Sequence, residues 1–288
     1  MQIQKSFKEQ TSYGTLFLVP TPIGNLSDMT YRAVETLKTV GAICAEDTRN
    51  TGLLLKHFDI ETRQISFHEH NAFEKIPDLI SLLKEGESLA QVSDAGMPSI
   101  SDPGHDLVKA AISEGISVVA LPGASAGITA LIASGLAPQP HIFYGFLPRK
   151  AGQQKAFFTD KRGYQETQIF YESPYRVVST LENMLAIYGD RQVVLVRELT
   201  KLYEEYQRGA ITELLANLSE HPLKGECLLI VEGDDGSTIS EEQATLSPLE
   251  DVKARIASGT KPNQAIKAVA KERGLNRQEV YNAYHELD

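Results

Sequence analysis

The sequence is short of cysteine, has no excess of positive charge and contains no long apolar run. Each shortage excludes a class of protein. Its only two cysteines, Cys44 and Cys227, lie far apart within apolar stretches, so buried reduced thiols are expected rather than a disulfide. With no Cys-x-x-Cys pair and no Cys/His set at zinc spacing, no metal is expected. The formal charge is −10 over 288 residues, unlike a protein whose whole surface grips nucleic acid. Any RNA contact must therefore use a local basic patch. No stretch approaches the ~18 apolar residues of a membrane span, and the polar N-terminus lacks the apolar core of a signal peptide. A soluble, cytoplasmic protein without membrane contact is expected. No Gly-x-Gly-x-x-Gly follows the first apolar run, and neither a phosphate-binding P-loop nor a Gly-x-Ser-x-Gly elbow occurs. Ordinary dinucleotide enzymes, P-loop nucleotidases and α/β-hydrolases are thereby excluded.

What is present is organised around Val92 to Gly104, Val-Ser-Asp-Ala-Gly-Met-Pro-Ser-Ile-Ser-Asp-Pro-Gly. The apolar run Leu89 to Val92 enters it and the amphipathic run Leu107 to Ile112 leaves it, which predicts strand, loop, helix. Asp102 is a good cap, and Pro103 suits the first helical position. The loop spends about nine residues where two to six usually suffice, so a ligand role is the stronger reading. Open α/β sheets bind ligands at this carboxyl edge.

Apolar strands alternating with helical patterns predict an α/β protein with parallel pairing and right-handed crossovers. We divide the chain into an N-terminal α/β domain (12–122), a second α/β domain (123–234), a polar linker (235–247) and a helical helix-turn-helix-like unit (248–288). Ser27 or Asp28 is expected to cap the first helix. Ser173 is expected to cap a later one, with Pro174 at its first position. The helical unit holds seven Lys/Arg against six acids, so its shape alone does not establish nucleic-acid binding. Packing or dimerisation remains an open role. Six strand-end loops carry small or rigid residues, and they converge only if the two halves face each other across a cleft.

The motifs Val19-Pro-Thr-Pro-Ile-Gly-Asn-Leu26, Ala45-Glu-Asp-Thr-Arg49, Asp94 to Gly104, Leu121-Pro-Gly123, Phe170-Tyr-Glu-Ser173 and Arg197-Glu-Leu-Thr-Lys201 stand in one order. Together they resemble the ribosomal RNA small subunit methyltransferase I family of the tetrapyrrole methylase superfamily. The resemblance covers residues 13 to 234 and the C-terminal helical unit. It implies two α/β domains with S-adenosylmethionine in the cleft between them, a homodimer, and 2′-O-methylation of a decoding-centre cytidine in small-subunit rRNA. It puts the cofactor against Pro20, Asp94, Ala95, Gly96, Met97, Ile100, Ser125, Ala126, Tyr171, Leu199 and Gly225. Two departures are visible: Gly96-Met97-Pro98 stands where the wider fold has Gly-Asp-Pro, and Ala124 stands where a proline is frequent.

A ribose hydroxyl is a poor nucleophile and would benefit from a base. The candidates are Asp47, His68, His70 and Glu172. Asp47 with Arg49 is equally a brace for the next helix, the two histidines a hydrogen-bonded turn, and Glu172 a cap. From Arg149 to Arg162 five basic residues face one acid, a local excess of four positive charges in an acidic chain. Arg149, Lys150 and Lys155 suit phosphate contact, with Phe157 and Phe158 as stacking platforms or as core. Arg49 and Lys201 are further RNA candidates. The acidic surface favours the assembled subunit over naked rRNA as substrate. Two rivals remain: a methylase of the same fold acting on a porphyrinoid, and a non-catalytic nucleic-acid-binding protein.

Overall fold

The computed structural model describes residues 3–5, 12–100, 102, 104–236, 247–257 and 260–285. Residues 12–236 build two five-stranded sheets. In the first, β1 (Leu16–Leu18), β2 (Ala42–Ala45), β3 (Gln64–Ser66), β4 (Leu89–Val92) and β5 (Val118–Ala120) lie in the order β3-β2-β4-β1-β5. Every pairing in it is parallel. Helices α1 (Tyr31–Thr39), α2 (Thr48–His57), α3 (Ala72–Lys84) and α4 (Gly104–Ser113) connect the strands. Because helices cover both faces, β2 and β4 are buried along their whole length. Alternation along each strand sends Leu16, Cys44 and Leu89 towards α3 and α4, and Ile43 and Ala90 towards α1 and α2.

The second half comprises α5 (Ala126–Ser134), β6 (His141–Phe146), α6 (Ala151–Lys161), β7 (Thr167–Glu172), α7 (Val177–Tyr188), β8 (Gln192–Arg197), β9 (Glu205–Ala210), α8 (Ile211–Glu220) and β10 (Cys227–Val231). Its strand order is β6-β7-β10-β8-β9. Here the expectation of parallel pairing fails. Only β6 and β7 are parallel, whereas β10 runs against both β7 and β8, and β8 against β9. The link from β8 to β9, residues 198–204, is too short for a crossover, which needs a dozen residues or more. Helices α6, α7 and α8 cover one face through Phe158, Leu181 and Leu214, while α5 covers the other through Ala130 and Leu131.

Two expected helix starts also move. Thr30 caps α1, its hydroxyl accepting the Ala33 amide at 3.1 Å, while Ser27 and Asp28 belong to a separate 3-10 turn. Ser173 lies in a turn before α7, where its carbonyl, rather than its hydroxyl, accepts the Arg176 and Val177 amides. Pro174 is therefore not the first helical residue. Pro103 and most of the linker, residues 237–246, lie outside the described residues.

The C-terminal unit comprises α9 (Pro248–Ala257), α10 (Pro262–Glu272) and α11 (Arg277–His285) around Val252, Ile266, Val269 and Val280. Asp251, 1 % exposed, accepts from Arg255 at 2.8 Å and from Arg273 at 2.9 Å, so its charge is buried but paired. Among the described residues, no helix is long and apolar enough to cross a membrane.

Candidate active site

Strand-end loops from both halves close around one cavity of about 640 Å³, within the range of small-molecule sites. One wall is the loop after β4. The Asp102 carboxylate holds it, accepting from the Ser99 amide (2.8 Å), the Gly104 amide (2.9 Å) and the buried Gln91 carboxamide (2.8 Å). At Gly104 any Cβ would overlap the Gln91 carboxamide and the Ser99 hydroxyl. Burial pushes the Asp102 carboxyl up, and the bonds from Gly104, Ser99 and Gln91 oppose that shift. Gly96, with φ of +78°, pairs with Thr21 in both directions at 3.0 and 3.1 Å, tying the loop after β1 to the loop after β4.

The facing wall is aromatic. Tyr171 on β7 meets Phe143 and Phe146 edge-on, with ring centroids 5.0 and 5.4 Å apart. Residues three apart on a regular strand point to opposite faces, but β6 bulges between Phe143 and Gly145, where φ is +69°. The extra residue brings both rings to one side. Leu199 closes the site between Glu198 and Thr200, which both have positive φ. The Glu198 carboxylate accepts from the Glu226 amide (2.8 Å) and the Lys201 ammonium (3.0 Å), and both hold its carboxyl below the usual range.

Of the expected cofactor residues, Asp94, Ala95, Gly96, Met97, Ile100, Ser125, Ala126, Tyr171, Leu199 and Gly225 line this cavity. Pro20 does not. It is buried behind the wall against Gly123, where a Cβ would come within 2.5 Å of the proline ring.

The catalytic candidates separate. Glu172 reaches the cavity, but its carboxylate is occupied by the Ser173 amide (2.9 Å) and the Thr180 hydroxyl (2.8 Å). Asp47, His68 and His70 are not on its wall. Asp47 caps α2 through the Arg49 amide (2.8 Å) and pairs with the Arg49 guanidinium (2.7 Å), which holds its carboxyl down to about 2. His68 and His70 sit edge-on at 5.9 Å, and the buried Nδ1 of His68 has no hydrogen-bond partner among the described residues.

Sequence reasoning passed over Glu46, which does line the cavity, along with Phe143 and Phe146. The Glu46-Asp47 pair offered two acids, and only the turn after β2 decides which one faces in. The Gly145 inside β6 was the available signal for the aromatic wall. Burial, then Asp94 and Asp102, push the Glu46 carboxyl up, while the Asp94 amide and His68 pull it down. Five carboxylates, Glu46, Asp94, Asp102, Glu172 and Glu226, on an otherwise largely apolar wall suit a ligand carrying positive charge.

Among the RNA candidates, Arg149, Lys150 and Lys155 are exposed around the start of α6, and the Arg49 side chain is 88 % exposed. Lys201 is held by Glu198 and by Glu226 at 2.9 Å. Phe158 is buried and Phe157 packs on it and on Phe170, so neither ring is a stacking platform for bases. A smaller recess of about 270 Å³, between Pro22, Leu26, Asn50 and Leu53, shares Ser93 and Asp94 with the main cavity.

A family profile described as Tetrapyrrole (Corrin/Porphyrin) Methylases matches residues 15–215. The chain is 73 % identical over 287 residues to a protein of Streptococcus pyogenes serotype M1 named Ribosomal RNA small subunit methyltransferase I, covering 100 % of both chains. It is 48 % identical to the protein of the same name from Bacillus subtilis, with 98 % of each covered. Among solved structures it is similar to uroporphyrin-III-C-methyltransferase from Thermus thermophilus (TM-score 0.53, 19 % identity, 76 % of this chain and 94 % of that one). It is also similar to diphthine synthase (TM-score 0.60, 14 % identity, 76 % and 90 %). At those identities the structural likeness shows the fold alone.

Proposed function

This chain belongs to the ribosomal RNA small subunit methyltransferase I family of the tetrapyrrole methylases, and from that premise we propose that it methylates the 2′-oxygen of a decoding-centre cytidine. The coarse activity, S-adenosylmethionine-dependent methylation of small-subunit rRNA, comes with membership of the family. The observation that supports the donor part of this reading is the cavity shared by the two halves, while the ribose target rests on the resemblance of the motifs. Its carboxylates complement a sulfonium and an ammonium, its aromatic wall offers an adenine ring a face, and its glycines let backbone come close. The residues present therefore fit the methyl donor, which when bound supplies an activated methyl group.

The protein's own part is positioning. The Asp102-held loop and the Tyr171 wall would hold the donor between them, and in-line transfer depends on such alignment. The smaller recess beside Ser93 and Asp94 has the size and mixed lining for a nucleotide drawn out of its stack. Exposed Arg49, Arg149, Lys150 and Lys155 are available to flanking phosphates. We read the substrate as the assembled small subunit, because an acidic protein with a local basic patch suits a shaped target. We also read the protein as a cytoplasmic homodimer, a state to be checked by sedimentation.

The test is transfer of radiolabelled methyl groups to unmethylated small subunits, with the label mapped afterwards. Label on a single cytidine ribose of the decoding region is expected. Label on a base, or equal labelling of protein-free rRNA, contradicts the corresponding part of the proposal.

A further inference from the structure

A ribose oxygen that takes a methyl carbon must lose its proton, and a well-placed base contributes ~10²–10⁴-fold to such a step. Most titratable groups on the cavity wall are already committed. Asp102 is occupied by Ser99, Gly104 and Gln91, and Glu172 by Ser173 and Thr180. Asp94 accepts from the Asp47 amide (3.3 Å) and the Asn50 carboxamide (3.4 Å), and Glu226 pairs with Lys201. The Tyr171 phenol and the Cys227 thiol are pushed up by burial and stay protonated at neutral pH.

Glu46 remains. It is half-buried at the carboxyl end of β2, and it lines the cavity beside the loop that leaves the neighbouring strand β4. No ion pair among the described residues includes it. The titratable groups that act on it are Asp94 and Asp102 from the loop after β4 and His68 from the turn after β3.

We propose that Glu46 is the proton acceptor for the attacking ribose hydroxyl, an inference that rests on the ribose-methylation reading above. The O–H bond breaks and its proton passes to a Glu46 carboxylate oxygen. The oxygen–carbon bond forms as the carbon–sulfur bond of the methyl donor breaks, and that electron pair stays on sulfur, which goes from sulfonium to neutral thioether. A carboxylate hemmed in by burial and two like charges is a stronger base than a surface one. Asp47, its neighbour in sequence, is held by Arg49 in the opposite state.

The test compares wild type with Glu46→Gln, which keeps the side chain's size and removes its basicity. Donor affinity is read by calorimetry. Single-turnover transfer to unmethylated small subunits is followed against pH. The carboxyl itself is followed by difference infrared spectroscopy, wild type minus variant. We expect a transfer rate, measured at saturating donor, lower by ~10²-fold or more, and loss of the acid-side limb of the wild-type pH profile. The difference spectrum is expected to show a protonated carboxyl persisting where surface carboxylates have ionised. An unchanged rate would overturn the proposal. So would a weakened Kd with the rate restored at saturating donor, which would make Glu46 a donor-binding residue. A wild-type protein that leaves the ribose unlabelled would sink the ribose-methylation reading itself, a result separable from an active wild type matched by its variant.

Discussion

Glu46 and Asp47 are adjacent carboxylates with opposite environments, and their difference shows how little a residue type says without its partners. Asp47 gains a guanidinium and a helix amide, so its folded carboxyl lies near 2 against 3.8 for the free group. A depressed carboxylate contributes stability above its unfolded value and loses it as pH falls through the folded one. The Asp47→Ala variant should therefore unfold at lower urea than wild type at neutral pH. That gap should close between pH 3.8 and about 2, as followed by urea denaturation at stepped pH. Thr30 offers a simpler case. Among the described residues its hydroxyl is the only side-chain group on the first amides of α1, and Thr30→Ala should cost about 1 kcal/mol in the same measurement. The sequence pointed to Ser27 and Asp28 instead because Ser27, Asp28 and Thr30, within four residues, all have cap chemistry, and local propensity cannot rank them.

At the scale of elements, the loop after β4 is organised from behind. Gln91, on a strand buried on both faces, reaches the Asp102 carboxylate, and Gly104 leaves room for that contact. Gly104→Ala should push the Gln91 carboxamide aside and release the Ser99 turn. Donor affinity measured by calorimetry should fall tenfold or more, with a lower urea midpoint as well. The loop's importance was legible from its length and its Gly, Pro and Asp content. The aromatic wall was not, because the β6 bulge alters side-chain parity and parity is what sequence reasoning assumes. The antiparallel β8–β9 pair was likewise hidden, because a continuous apolar run such as β8 does not record the direction of its neighbour. The short link between them was the one available sign.

At the scale of the whole molecule, the helical unit after residue 247 has its own apolar core and its own buried ion triad, apart from the two sheets. Val269, fully buried in that core, tests its independence. Val269→Asp should unfold the unit while leaving the donor Kd within twofold of wild type, read by calorimetry beside circular dichroism. Charge is also distributed at this scale. The chain carries −10 overall, yet Arg149 and Lys150 stand exposed at one end of α6. If they meet phosphates, the paired change to alanine should weaken subunit binding and flatten its dependence on salt, by about one unit of logarithmic slope per contact.

By itself the sequence determined the two α/β halves, the helical unit and the main loops of the cleft, because hydrophobic period, turn residues and loop length are local properties. It also carried the family, through long motifs in one order. Tertiary structure alone decided which acid faces the cavity, which phenylalanines line it and which way the strands of the second sheet run. Those outcomes depend on backbone curvature, on a bulge and on contacts between residues tens of positions apart. Glu46 acquires its environment only when the loop after β4 folds alongside the end of β2, bringing Asp94 and Asp102 to it.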